Sequence, residues 1–244
     1  MKKRLDQLLV ERGLAESRAK AQAAIMAGLV FSGEKRLDKP GTSVAEDIAI
    51  DVRGQPHPWV SRGGLKLAHA LDVFALDVAG KTAIDVGAST GGFTDVLLAK
   101  GAAKVHAVDV GQGQLAWKLR NDPRVVVLEK TNARHLTRAH IPDAVDLVVC
   151  DASFIGLETV LPAALALARP GAMLVALIKP QFEVGKARVG KGGVVRDPAL
   201  HAEVRARIAG WLPAQGWTPV GEDESPILGP EGNREFLIAA RKDQ

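Results

Sequence analysis

One stretch constrains this chain more than any other: Asp85-Val86-Gly87-Ala88-Ser89-Thr90-Gly91-Gly92-Phe93. It follows an apolar run, Thr82 to Val86, that predicts a strand, and it opens a segment from Phe93 to Ala99 that predicts a helix. Glycines at such a turn admit left-handed backbone and let a ligand approach the main chain, while the helix amino terminus presents free N–H groups. The same rhythm continues on both sides. Strands are predicted at Lys104 to Val110, Arg124 to Leu128, Val145 to Cys150 and Ala172 to Ile178. Helices are predicted at Lys66 to Phe74, Leu115 to Leu119, Leu157 to Ala168 and Asp197 to Leu212. Strands and helices alternating at these lengths imply a parallel sheet covered on both faces. Trp217 to Val220 and Glu235 to Ala240 follow one another with only a loop between, as an antiparallel hairpin at the sheet edge would.

The first quarter of the chain has a different pattern. Leu5, Leu8 and Leu9 recur at helical spacing and stop at Gly13. Ser17 can cap a second helix carrying Ala21, Ala24 and Ile25 and ending at Gly28. Short strands are expected at Leu29-Val30-Phe31 and Ile48 to Val52, with a turn at Ser32-Gly33. Arg53-Gly54-Gln55-Pro56-His57-Pro58 has the glycine and prolines of a linker, so the domains are expected at 1–58 and 59–244. Arg4, Arg12, Arg18 and Lys20 are spread over both helices. They offer either a positive face to phosphates or an ordinary solvated surface.

Composition excludes several classes. A single cysteine, Cys150, rules out an internal disulfide scaffold, and its place in an apolar strand predicts inert packing. Asp6 and Glu11-Arg12 interrupt the apolar run a signal peptide needs after Lys2-Lys3-Arg4, and charges and prolines break the most membrane-like stretch, Leu157 to Ile178. The expectation is a cytoplasmic protein without membrane association. The formal net charge of +4 is compatible with a polyanionic partner, and the absence of tyrosine argues against extended base-stacking platforms. The six histidines lack metal-ligand spacing, so no metal is expected.

Asp109 ends the strand after the glycine turn, where an acid can accept from ribose hydroxyls, so a nucleoside-containing cofactor is implied. The alternative is a tight turn that holds nothing. The dinucleotide fingerprint is broken, because Ala88-Ser89 follows Gly87, and this argues against an NAD-linked oxidoreductase. An acid before the first glycine, with two more glycines closing the turn, suits S-adenosyl-L-methionine. Asp85 would then lie near the amino-acid end, with Gly87, Ser89, Thr90, Gly91, Gly92 and Phe93 around the ligand. Asn132, past the third strand, is either an adenine partner or a turn asparagine.

Lys66, Asp151, Lys179 and Glu235 stand at ends or edges of predicted elements. Lys179, closing a very apolar strand before Pro180, must find water, a partner or a role. Taken alone it could equally snorkel to the surface. The four residues together resemble the Lys-Asp-Lys-Glu tetrad of FtsJ-type ribose 2′-O-methyltransferases. The likeness is carried by Ser61-Arg62-Gly63-Gly64-Leu65-Lys66-Leu67, the glycine turn, Cys150-Asp151-Ala152-Ser153-Phe154, Ile178-Lys179-Pro180-Gln181-Phe182-Glu183 and Asn233-Arg234-Glu235-Phe236. Arg4-Leu5-Asp6-Gln7-Leu8-Leu9, Ser17-Arg18 and Gly28-Leu29-Val30 resemble the S4-like RNA-binding domain. Together they are similar to the hemolysin-A-type family of ribosomal RNA (cytidine-2′-O)-methyltransferases.

That resemblance implies a Rossmann-like α/β methyltransferase domain with a mixed seven-stranded sheet, behind a small α+β S4-like domain. It also implies S-adenosyl-L-methionine as cofactor, with Asp151 close to it, and ribosomal RNA or ribosomal subunits as partner. A ribose 2′-hydroxyl is a poor nucleophile, so catalysis needs in-line positioning and a group to take one proton. Lys179 would take it, Asp151 would orient Lys179, and Glu235 would hold Lys66 and the ribose. Glu183, Lys186, Arg188 and Lys191 would lie in a mobile loop over the substrate or in a merely solvated one. Two rival functions are an RNA-binding protein with an inactive methyltransferase fold and a membrane-active hemolysin; the latter needs an amphipathic or spanning segment that the sequence does not display.

Overall fold

The computed structural model describes residues 2–15, 17–33, 35–52, 57–229 and 231–244; most of the expected linker, 53–56, lies outside the described residues. The chain divides into two compact units, Met1–Pro58 and Trp59–Gln244.

The first unit runs β1 (Lys2–Arg4), α1 (Leu5–Glu11), α2 (Arg18–Met26), β2 (Val30–Ser32), β3 (Lys35–Arg36), β4 (Ser43–Ala45) and β5 (Asp51–Val52). Leu5, Leu8 and Leu9 bury one face of α1 against Ala21 and Ile25 of α2, and Val30, Leu37 and Val44 close this small core. Ser17 caps α2 by accepting from the Lys20 N–H, and left-handed Gly13 and Gly28 follow the helix ends, as expected. Two strands depart from expectation. Lys2–Arg4 pairs antiparallel with Ser43–Ala45, although its side chains are charged. Ile48 and Ile50 pack on the core without joining a strand, so only Asp51–Val52 pairs with β2.

The second unit runs α3 (Gly63–Val73), β6 (Thr82–Val86), α4 (Gly92–Ala99), β7 (Lys104–Val108), α5 (Trp117–Arg120), β8 (Val125–Leu128), β9 (Val145–Cys150), α6 (Leu157–Val160), α7 (Pro162–Leu167), β10 (Ala168–Ile178), α8 (Pro180–Glu183), α9 (Pro198–Trp211), β11 (Trp217–Glu224) and β12 (Phe236–Lys242). The sheet is seven-stranded, in the order β11-β12-β10-β9-β6-β7-β8. β10, β9, β6, β7 and β8 are parallel, and β12 and β11 are antiparallel. Side chains alternate between two cores. Ala83, Val105, Leu147 and Val149 face α3 and α4, while Ile84, Val108, Val148 and Cys150 face α6, α7 and α9. The helix expected over Leu157 to Ala168 is two helices. Pro162 lacks an N–H and its ring clashes with the carbonyl four residues back, so it can only start a new helix.

The strand order reverses between β6 and β9: successive elements add β7 and β8 on one side, then β9 and β10 on the other. Open α/β sheets bind ligands at the carboxyl ends of the strands beside such a switch. No helix among the described residues is long and apolar enough to cross a membrane.

Candidate active site

Two recesses open at this switch. The larger, about 670 Å³, is lined by Lys66, Asp151, Lys179 and Glu235; the smaller, about 530 Å³, by Asp109, Asn132 and Gln114. They share Gly87, Ser89, Asp151, Ser153 and Phe154. Gly87, at φ +82°, lies where β6 and β9 release their chains together: a Cβ there would stand 2.9 Å from the Ala152 Cα. Gly91, at φ +99°, caps α4, and a Cβ on it would collide with Leu119. Ser89, also left-handed, donates its N–H to Asp109 Oδ2 at 2.7 Å, and Gly111 N–H donates to Oδ1 at 2.7 Å. Asp109 therefore fixes the glycine turn while standing beside the smaller recess. Thr90 is exposed, Gly92 closes the turn and Phe93 is buried in the wall of the larger recess. Asn132 Oδ1 accepts from the Arg134 N–H at 3.1 Å, which is turn capping. Its side chain also lines the smaller recess, so both expected uses are compatible with its place.

Asp85 is fully buried. Its Oδ2 accepts from the Thr94 N–H at 3.0 Å and the Thr94 hydroxyl at 2.7 Å, and its Oδ1 has no partner among the described residues. Burial pushes its pKa up to about 7; the Thr94 hydrogen bonds oppose the shift, and nearby Asp151 and Asp109 add to it. The folded protein therefore binds this proton more tightly than the unfolded chain. The stability it contributes is complete below the ordinary carboxylate range and is lost as pH rises through about 7. Asp85→Asn is expected to remove that loss, flattening the decline by up to about 1.4 kcal/mol per pH unit between about pH 4 and 7. Urea unfolding of both proteins at several pH values measures the difference; equal slopes would contradict it.

The four expected catalytic residues form one ionic chain. Glu235 Oε2 lies 2.6 Å from Lys66 Nζ, which lies 3.5 Å from Asp151 Oδ1. That same oxygen is 2.7 Å from Lys179 Nζ. Lys179 also donates to the Asp151 carbonyl at 3.0 Å and to Ser153 Oγ at 2.9 Å. Lys66, Lys179 and Glu235 are buried, and two cations against two anions leave no uncompensated charge. Backbone register sets the geometry. Ile178 pairs with Phe236, so Lys179 and Glu235 stand opposite each other at the ends of β10 and β12. Val86 pairs with Cys150, so Asp151 emerges beside Gly87. Lys66 comes from inside α3, which begins at Gly63, not at the helix start its sequence suggested.

Three further residues escaped sequence reasoning as individuals. Ser153 shares Lys179. Phe154 is 90% exposed, holds a left-handed φ of +66° and packs 5.1 Å from Phe182 at the mouth of both recesses. The one available signal was an aromatic four residues past a site strand in a chain with few aromatics. Asn233 is wholly buried; it accepts from Val195 N–H at 2.9 Å and donates to the Gly193 carbonyl at 2.9 Å, tying the loop before α9 to the segment that carries Glu235. Glu183 is not a loop charge over the substrate. It accepts from Leu157 N–H at 2.8 Å and pairs with Arg207 at 2.8 Å, bracing α8 against α6 and α9. Lys186 and Lys191 are exposed, and Arg188 pairs with Glu203. Burial pushes the Cys150 thiol up to about 12, so it is inert.

In the first unit, Arg12 donates to the carbonyls of Ile48 and Glu46, holding its own module together. Arg4 and Arg18 converge on Asp6, and Lys20 lies exposed on the first turn of α2.

The FtsJ-like methyltransferase family model matches residues 59–242, and the S4 domain model matches residues 3–47. The chain belongs to the FtsJ-like methyltransferase family. Within it, the chain is 54% identical over 239 residues to the 16S/23S rRNA (cytidine-2′-O)-methyltransferase TlyA of Mycobacterium tuberculosis, covering 98% of this chain and 89% of that one. It is 40% identical to Hemolysin A of Brachyspira hyodysenteriae, covering 96% and 98%. A hemolysin-family structure from Streptococcus thermophilus superposes with a TM-score of 0.79 at 42% identity, covering all of this chain and 89% of the other. An S4 module ahead of an FtsJ-like domain is thus the arrangement of a TlyA/hemolysin A family member.

Proposed function

We propose that this protein transfers a methyl group from S-adenosyl-L-methionine to the 2′-oxygen of a cytidine ribose in structured ribosomal RNA. The observation that carries the reading is the buried Glu235–Lys66–Asp151–Lys179 chain beside the glycine turn. The likeness to TlyA supplies the nucleoside and the class of RNA.

The residues fit the cofactor. Asp109, at the end of β7, suits a ribose diol, and the smaller recess with Asn132 suits adenine. Asp85, expected at the amino-acid end, is wholly buried and lines neither recess, so it braces the glycine turn through Thr94 instead of facing the ligand. When bound, the cofactor supplies an activated methyl on a sulfonium.

The chain's own residues do the rest. Lys179 Nζ already makes three contacts, so it must release a proton before it can accept one. The 2′-hydroxyl would then replace Ser153 Oγ as its partner and give its proton to the neutral Nζ, leaving the 2′-oxygen as the nucleophile toward the methyl that the sulfonium would release. Asp151 holds the amine from both its carbonyl and its carboxylate. Lys66 holds Glu235 and Asp151 in place, with Glu235 as an acceptor on the ribose side. Phe154 offers an exposed ring for the base to stack upon. The S4 module grips the RNA mainly through phosphate and shape, and such a substrate places the protein in the cytoplasm.

The test is incubation with labelled cofactor and separated small and large ribosomal subunits, followed by mapping of the modified residue. Label on a cytidine ribose is expected. Transfer to a base, or to no subunit and no naked rRNA, would overturn the reading.

A further inference from the structure

Asp6 is a charged residue with no exposed side-chain surface in a module with a small core. Its Oδ1 accepts from Arg4 Nε at 3.0 Å. Its Oδ2 accepts from Arg4 Nη2 at 3.0 Å, Arg18 Nε at 2.9 Å and Gln22 Nε2 at 2.8 Å. The hydrogen bond from Arg4 foremost, then those from Gln22 and Arg18, hold this carboxyl well below the usual carboxylate range against the opposing desolvation. Arg4 precedes α1 and Arg18 opens α2, so a single carboxylate joins two elements through their cations.

Stability alone is a weak reason for such an arrangement, because apolar packing of similar volume often serves as well as a buried ion pair. The outer side of the cluster carries more information. Arg4 and Arg18 remain 43% and 52% exposed. Arg18 meets the carboxylate through Nε, and neither of its terminal amino groups makes a hydrogen bond to Asp6. The Pro40–Thr42 turn closes on Arg4 from the other side: its carbonyls accept from Asp6 N–H and Leu5 N–H, and a Cβ at Gly41 would stand 3.4 Å from Arg4 Nη1. Two guanidiniums that would repel one another are thus fixed side by side, with one net positive charge and with N–H groups that Asp6 leaves unused, Nη1 of Arg4 and both terminal amino groups of Arg18. A guanidinium held in a fixed plane matches a phosphate in geometry and loses less side-chain freedom on binding.

We infer that Asp6 is the positioning residue of a two-arginine phosphate fork, holding Arg4 and Arg18 together so that both grip one RNA phosphate. The inference rests on the RNA-methyltransferase reading and adds to it a specific contact on the S4 module.

The sign of the effect of Asp6→Asn makes this testable. Removing a negative charge raises net charge by one and, through general electrostatics, strengthens binding to a polyanion. A positioning role predicts the opposite. Binding of the full-length protein to protein-free 16S and 23S rRNA is measured between about 50 and 200 mM salt. Asp6→Asn is expected to weaken binding roughly tenfold and to make the salt slope shallower by about 1, with cofactor affinity unchanged. Arg4→Gln and Arg18→Gln are each expected to lose nearly as much as the double variant, because the fork acts as one unit. Equal or tighter binding by Asp6→Asn would overturn the proposal, and so would additive losses in the arginine series. If Asp6→Asn loses amide protection across Leu8, Leu9 and Ile25, the arginine cycle decides alone. A wild-type protein without salt-dependent rRNA binding would sink the RNA reading itself, which is a different result from a silent Asp6→Asn.

Discussion

Replacing Lys179 with methionine is expected to slow methyl transfer by about 10²–10⁴-fold, the usual contribution of a positioned proton acceptor. Cofactor affinity should survive, because Lys179 lines only the larger recess and not the smaller one that holds Asp109 and Asn132. Methionine keeps the length and apolar stem of lysine, so the end of β10 stays packed. It removes the Nζ that touches the Asp151 carboxylate, the Asp151 carbonyl and Ser153 Oγ. Asp151 keeps Lys66 as partner at 3.5 Å, so the fold should not collapse. The informative comparison is single-turnover transfer against equilibrium cofactor binding. A variant that binds cofactor and RNA but does not turn over supports Lys179 as the proton acceptor. Near-normal turnover would remove that role.

Gly87→Ala is expected to damage both recesses at once. The position has φ +82°, which costs an L-residue about 1–2 kcal/mol, and the new methyl would sit 2.9 Å from the backbone of Ala152. Backbone cannot yield as a long side chain would. Either the glycine turn retreats from the cofactor, or the Asp151–Phe154 segment moves and takes Lys179's partners with it. Weakened cofactor binding and a lower Tm should therefore appear together, with cofactor affinity down more than about tenfold for an effect of this size. Unchanged affinity with a normal Tm would mean that the turn and the Ala152 segment are not mechanically joined.

Much of this site is legible in the sequence, for identifiable reasons. The glycine turn shows because its glycines cluster between an apolar strand and a helix, and Asp109 shows because it ends a strand. The four ionic residues stand far apart in the chain, and only their resemblance to a known tetrad brought them together. Pattern alone does not reveal that Ile178 pairs with Phe236. The strand Lys2–Arg4 was hidden because a three-residue edge strand has no apolar alternation to betray it. Asp6 was hidden because an acid in the first turn of an amphipathic helix ordinarily faces water. Phe154 was hidden for the converse reason, since an aromatic after an apolar strand ordinarily joins the core. Glu183 was misplaced because charges near glycines suggest a solvated loop, whereas α8 turns this one inward onto Leu157 and Arg207.

The antiparallel pairing of β12 with β10 has a consequence for assembly. Sliding β12 by one residue would bring either Arg234 or Phe236 to the place of Glu235. The first would crowd a third cation against two sequestered ammonium groups; the second would leave Lys66 facing a hydrocarbon ring. Neither neighbour of Glu235 can substitute for it, so misaligned conformers are penalised electrostatically, and the chemistry of the cleft itself proofreads how this sheet is zipped.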